Sequence, residues 1–124
     1  MSRSEPAPRW VLEVLAAVDA RDAARFANFI AVDGIFKFAN AEPARGRAAI
    51  EAAVAGFFGT IRACRHRLLR CWQDGDALAM QGTVTYTRLD GRELTLPFVN
   101  VFVMRGELIA EYLIYVDIAP LYAA

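Results

Sequence analysis

The chain has 124 residues, of which 56% are hydrophobic and 23% charged, enough for one domain with its own core and too apolar for a disordered segment. Fourteen basic residues balance fourteen acidic ones, so there is no cationic surplus to hold nucleic-acid phosphate. No apolar run reaches ~18 residues, so no membrane-spanning helix is expected.

Residues 1–7 read as a Pro-containing lead-in without the apolar stretch of a secretory leader, and a single domain is expected over 8–124. Trp10, Val11, Val14, Leu15 and Val18 recur at helical spacing, which predicts an amphipathic helix over about 8–20. Asp22 is placed to cap a short second helix carrying Phe26, Phe29 and Ile30. Asp33-Gly34 ends it, and Ile35 to Asn40 alternates as a short strand. Glu42-Pro43 through Gly46 reads as a loop. Ile50, Val54, Phe57, Phe58 and Ile61 then mark a third helix over about 46–61.

From there the period changes to two. Asp74-Gly75, Asp90-Gly91 and Arg105-Gly106 are hairpin turns. They separate long strands over about 64–73, 77–89, 93–104 and 107–118, an antiparallel meander. Pro97 cannot donate to a ladder and marks a bulge or an unpaired edge. Helices on one face of a bent antiparallel sheet make an α+β domain.

Cys64 and Cys71 are seven apart in a predicted strand. At ~3.3 Å per residue they stand ~23 Å apart on opposite faces and cannot pair. Free thiols without a leader point to a reducing, cytoplasmic setting. With one histidine and no Cys, Asp or Glu cluster at ligand spacing, neither a metal site nor a cofactor is expected. Arg62, Arg65, Arg67 and Arg70 read as the solvated edge and ends of a strand. The high apolar content predicts a pocket or a subunit interface.

The order helix-helix-strand-helix-four strands resembles the nuclear transport factor 2-like superfamily over nearly the whole chain. Within it the chain looks most like the SnoaL-like group, related to ketosteroid isomerases and polyketide cyclases. The resemblance is carried by AAVDARDAARFANFIAVDGIFKF, by EPARGRAAIEAAVAGFF and by the ending EYLIYVDIAPLYA. It implies a cystatin-like cone, with three N-terminal helices packed on a curved antiparallel sheet, a cavity between them, and a homodimer. Ketosteroid isomerases carry a base Asp near the end of the first strand; the matching place here is about Phe38. Their oxyanion hole pairs a Tyr with a protonated Asp, which fall here near Val14 and on Asn100. The Arg-x-Asp of limonene epoxide hydrolases reads Phe98-Val99-Asn100. The late acid/base Asp of SnoaL-type cyclases matches Asp117.

These positions and the alternation of the strands define the candidates. Leu96, Phe98, Asn100, Phe102 and Met104 share one face, and so do Leu113, Tyr115 and Asp117. An amide and a carboxylate in line with apolar groups are either partnered burials or the working groups of a pocket. Asp117, Asn100 and His66 are the catalytic candidates. Histidine is the residue type suited to acid/base work near neutral pH, and His66 is expected on the inner face with Leu68 and Trp72. Phe36, Asn40, Trp72, Tyr86, Phe98 and Tyr115 are the ligand-binding candidates. Asp117 before Ile118-Ala119-Pro120 equally fits a strand-end cap, and Asn40 a turn residue. Two functions stand open. One is a proton-transfer enzyme, isomerase- or cyclase-like, acting on a hydrophobic carbonyl compound. The other is a non-catalytic dimeric module that binds a hydrophobic small molecule.

Overall fold

The structure, a computed structural model, describes residues 6–124; residues 1–5 of the expected lead-in lie outside the described part. Helix α1 spans Arg9–Asp19 and α2 spans Ala23–Ala27. Strands β1 (Ile30–Phe38) and β2 (Ala44–Arg45) follow, then α3 (Arg47–Phe58). The meander is β3 (Ile61–Asp74), β4 (Ala77–Arg88), β5 (Glu93–Arg105) and β6 (Leu108–Val116), closed by a short helix α4 (Ala119–Tyr122).

Local chemistry explains the boundaries. In α1 the buried residues are Val11, Val14, Leu15 and Ala17, the stripe that the helical period sets out. The helix stops at Ala20, and Arg21 takes a left-handed φ of 55°. Asp22 then caps α2 by accepting from the Arg25 N–H at 3.0 Å, which relieves one orphan donor of the first turn. Helix α3 starts at Gly46, whose φ of 90° excludes most side chains. Arg47 Nε donates to the Ile30 carbonyl at 2.8 Å and ties the start of α3 to the start of β1. The three expected hairpins stand at Gly75, Gly91 and Gly106, each with positive φ.

The sheet has six strands in the order β2-β1-β6-β5-β4-β3. The meander is antiparallel as expected, but β1 pairs parallel with β6. The helices do not precede the sheet as one block, because β1 and β2 intervene between α2 and α3, and α4 follows β6. Ile30, expected in the second helix, begins β1 instead. The expected loop after Glu42 contains the two-residue β2. Pro97 lies outside the ladder to β6, which begins at Phe98. Among the described residues no helix is long and apolar enough to cross a membrane.

Register shifts bend the sheet and reset its faces. Besides one at the start of β3, between Ile61 and Ala63, they fall between Ile30 and Ile35, between Leu68 and Arg70, and between Val103 and Met104. A bulge places two residues against one, increases twist and inverts the alternation beyond it. Gly82 sits opposite Leu68 at the middle one. A Cβ on Gly82 would collide with the Arg67 carbonyl and lie 3.0 Å from the Phe98 ring. The absent side chain therefore lets β3 and Phe98 close over that point. The core fills the space between the helices and the sheet and includes Ile50, Val54 and Phe58 of α3 with Met80, Val84, Phe98 and Phe102 of the sheet.

Candidate functional site

Between α3, α1 and the sheet lies a cavity of about 230 Å³. Its wall is aromatic. Phe57 meets Phe38 at a ring separation of 4.9 Å and Tyr86 at 5.8 Å, and Phe36 meets Tyr112 at 5.4 Å. These are the tilted and edge-on arrangements that ring quadrupoles favour. Polar groups enter the wall at His66, at Tyr86 and at the pair Asn100 and Tyr112. The acidic Glu42 stands at the exposed rim, and no lysine or arginine lines the cavity.

His66 is held by a residue that sequence spacing does not reveal. Asp19, the last residue of α1, takes the His66 backbone N–H at 3.1 Å on Oδ2 and contacts His66 Nδ1 at 2.6 Å through Oδ1. A carboxylate at a helix C-terminus opposes the helix dipole; here its two donors from β3 offset that. An ionised carboxylate can only accept, so Nδ1 carries the proton and Nε2 of the neutral ring is the free nitrogen. The His66 side chain is 10% exposed and that of Asp19 28%. The ring packs edge-on against Phe98 with centroids 5.3 Å apart. One clue was present in the sequence: Asp19 breaks the polarity expected of a helix end.

Cys64 completes a cluster. Its thiol donates to the Val18 carbonyl at 3.4 Å. Burial, aided by the Asp19 charge, pushes the thiol up to about 12, so it is a neutral, unreactive thiol. The ligand atoms of Asp19, Cys64 and His66 all lie within 4.8 Å of one another. These three residues come together in space and not at ligand spacing along the chain. Asp19 is 47 residues from His66, and local spacing could not bring it in. The donor set fits an ion poorly as it stands. The thiol holds its proton, and the carboxylate is engaged by His66.

Asn100 is the one buried polar side chain of the core, 1% exposed. Its Nδ2 donates to the Tyr112 hydroxyl at 3.4 Å, and its Oδ1 has no partner. Burial holds the hydroxyls of Tyr112 and Tyr86 well above the usual tyrosine range, so both remain neutral donors at physiological pH.

The cavity thus brings together Phe36, His66, Tyr86, Phe98 and Asn100 from the predicted set. It does not include Asp117, Tyr115, Trp72 or Asn40. Asp117 is exposed, and its Oδ1 accepts the Ala119 N–H at 3.1 Å, so it caps the turn into α4. Tyr115 is 59% exposed on the outer face. Both corrections have one cause. In β6 the inner face is Tyr112, Ile114 and Val116, which pair with Phe102, Asn100 and Phe98. The alternate set also carries large apolar groups, Leu113 and Tyr115, beside Glu111 and Asp117, and a carboxylate in line with them fits a pocket group as well as a solvent-facing one. Trp72 pairs with Ala79 on the outer face, because the irregularity between Leu68 and Arg70 inverts the alternation after His66. The same inversion puts Cys71 on the buried side with Cys64, not opposite it. Asn40 is an exposed turn residue; its neighbours Ala41 and Glu42 reach the cavity instead.

Residues 11–112 match the SnoaL-like domain family. The chain belongs to that family. Solved structures agree on the fold. One is a protein of ketosteroid isomerase-like fold from Catenulispora acidiphila in complex with trimethylamine, at 19% identity and TM-score 0.82, with 89% of this chain and 86% of that one covered. A putative polyketide cyclase from Xanthomonas campestris is 17% identical with TM-score 0.77 and covers 89% of each chain. An LEH-like epoxide hydrolase from M. tuberculosis is also 17% identical with TM-score 0.77, over 92% of this chain and 84% of that one. No curated protein matches the sequence. At these identities the likeness is one of fold, the nuclear transport factor 2-like α+β arrangement. In this SnoaL-like domain Phe38 is part of the cavity wall and Val14 is a buried core residue.

Proposed function

We propose that the cavity is the active site of a proton-transfer enzyme, isomerase- or cyclase-like, acting on a hydrophobic carbonyl compound. The observation that carries this reading is the Asp19–His66 pair in the cavity wall. A histidine whose Nδ1 is held by a carboxylate is oriented and kept in one tautomer, and the imidazolium formed on proton uptake is stabilised. Nε2 of His66 removes a proton from the carbon beside the carbonyl. The electron pair moves onto the carbonyl oxygen. The Tyr112 hydroxyl accepts from Asn100, so its own proton is available to that oxygen. Tyr86 is a further neutral donor in the same wall. His66 returns the proton at another carbon, or the enolate carbon attacks a second carbonyl and His66 gives the proton to the alkoxide oxygen that forms there. Every step uses side chains of this chain. Asp117, which the sequence offered beside His66 as the acid/base, has no part in it.

The names of the two fold relatives, a putative polyketide cyclase and an epoxide hydrolase, are compatible with acid-base work in such a cavity. The second reading, a ligand-binding module, draws on Phe38, which leaves no carboxylate at the isomerase base position. Exchange of the α-protons of 2-indanone in D2O, followed by NMR, separates the two. The enzyme reading expects catalysed exchange that falls on the order of a hundredfold or more in His66→Gln and is unchanged in Asp117→Asn. Binding of the ketone without any catalysed exchange would leave the binding module as the function.

A further inference from the structure

The orphan acceptor in the cavity wall specifies what the ligand must bring. Asn100 Oδ1 is buried and lacks a partner, and Asn100 is one of the residues that line the cavity. A buried acceptor left without a donor is destabilising unless something else supplies one. Its own Nδ2 is engaged with Tyr112, which fixes which end of the amide is left over. Beside it, the Tyr112 hydroxyl accepts from Nδ2 and keeps its proton to give. The pair therefore presents one acceptor and one donor side by side.

We infer that the ligand is a small neutral compound carrying a hydroxyl that donates to Asn100 Oδ1 while an oxygen accepts from Tyr112. A hydroxy carbonyl compound satisfies both, with the hydroxyl on Asn100 and the reacting carbonyl on Tyr112. A single hydroxyl also satisfies both, since it donates and accepts. Size and charge narrow the class. A dry cavity of ~150 Å³ takes one benzene, so about 230 Å³ encloses roughly nine or ten non-hydrogen atoms by the same proportion. That is one ring with a substituent or a fused pair, and a four-ring skeleton does not fit inside. No cation lines the wall to hold a carboxylate or phosphate, and the only acidic lining residue, Glu42, is at the exposed rim. An ammonium would also donate to Asn100, but it would lose its hydration with no carboxylate beside the amide.

This inference rests on the reading of the cavity as a ligand site and not on the chemistry of His66. The test is equilibrium binding, by calorimetry, of four compounds of one shape: indane, 1-indanol, 1-indanone and 1-aminoindane. The expected order puts 1-indanol first, about tenfold or more tighter than 1-indanone, because the ketone cannot donate. 1-Aminoindane, protonated at neutral pH, binds more weakly than the alcohol. In Asn100→Leu the preference for alcohol over ketone disappears while indane still binds. The preference persists in His66→Gln, so loss of the catalytic reading would leave this one standing. A ketone that binds as tightly as the alcohol to the wild-type protein overturns the inference. So does an amine that binds tighter than the alcohol, or a failure of all four to bind. The wild-type comparison needs no variant to fold.

Discussion

Replacement of Asp19 by Asn tests the link on which the site depends. The carboxylate accepts two hydrogen bonds from His66, one from the backbone and one at the ring. Hydrogen bonds to a charged group contribute about 1.5–3 kcal/mol. Asp19 is 28% exposed, which moves each toward the low end through solvent screening. The amide retains one acceptor, so the loss should be about 1–2 kcal/mol. In a chain of this size, each kcal/mol lowers the melting temperature by about 3–6 °C. Urea titration measures the stability. His66 is the only histidine, so long-range nitrogen NMR of the ring reports one residue without assignment. At a pH where the ring is neutral, the proton should sit on Nδ1 in the wild type, and Asp19→Asn should shift the tautomer population toward Nε2–H. Any α-proton exchange should fall on the order of a hundredfold or more with it. A wild-type ring protonated on Nε2 would refute the reasoning. An unchanged tautomer together with unchanged stability in the variant would refute it equally.

Gly82→Ala should destabilise by about 1–3 kcal/mol, as overpacking does, since the new methyl meets the Arg67 carbonyl and the Phe98 ring; a urea midpoint equal to the wild type would contradict that geometry. Stability should fall as pH rises above 9, because Cys64 has its ordinary value at 9.0 and is pushed to about 12 by burial, and Tyr86 and Tyr112 are likewise raised from 10.0. The unfolded chain then releases protons before the folded one, so the contribution is full below pH 9 and is lost by up to about 1.4 kcal/mol per pH unit for each group; denaturant titrations at pH 8, 9.5 and 10.5 measure it. The outer face carries Val99, Val101, Leu113 and Tyr115, with Tyr115 59% exposed, an apolar patch suited to a second copy of the chain. Sedimentation should therefore give a species of twice 13.7 kDa, and the double variant Val101→Glu, Tyr115→Glu should give the monomer.

Much of the fold was legible because its signals are local and redundant. The stripe of Val11, Val14 and Leu15, the Asp22 cap, and the Asp-Gly turns each act within a few residues. The parallel pairing of β1 with β6 was not legible. It joins Phe36 to Tyr112, far apart in the chain and with no local mark in either strand.

The candidate site was half legible, and the division follows from how a strand counts. Asn100 and Phe98 could be placed because β5 alternates without interruption from Leu96 to Phe102. In β3 the alternation is broken between Leu68 and Arg70 and in β6 opposite Val103 and Met104, and a single extra residue exchanges the two faces beyond it. Trp72 fell on the wrong side of one such point, and Tyr115 and Asp117 on the wrong face of the other strand. The glycine opposite the first, Gly82, is the only mark the sequence carries of it. In β6 the inner set Tyr112, Ile114 and Val116 is wholly apolar while the outer set carries Glu111 beside Leu113 and Tyr115, so a carboxylate marks the solvent face there, and taking Asp117 for a pocket group reverses the strand. The Asp19–His66 contact lies beyond any pattern of this kind, because it joins the end of one helix to the middle of a strand. What the sequence did offer was an energetic oddity, a carboxylate at a helix C-terminus. A residue that is unfavourable where its own element puts it must be stabilised by another element, and at Asp19 that other element brings the histidine.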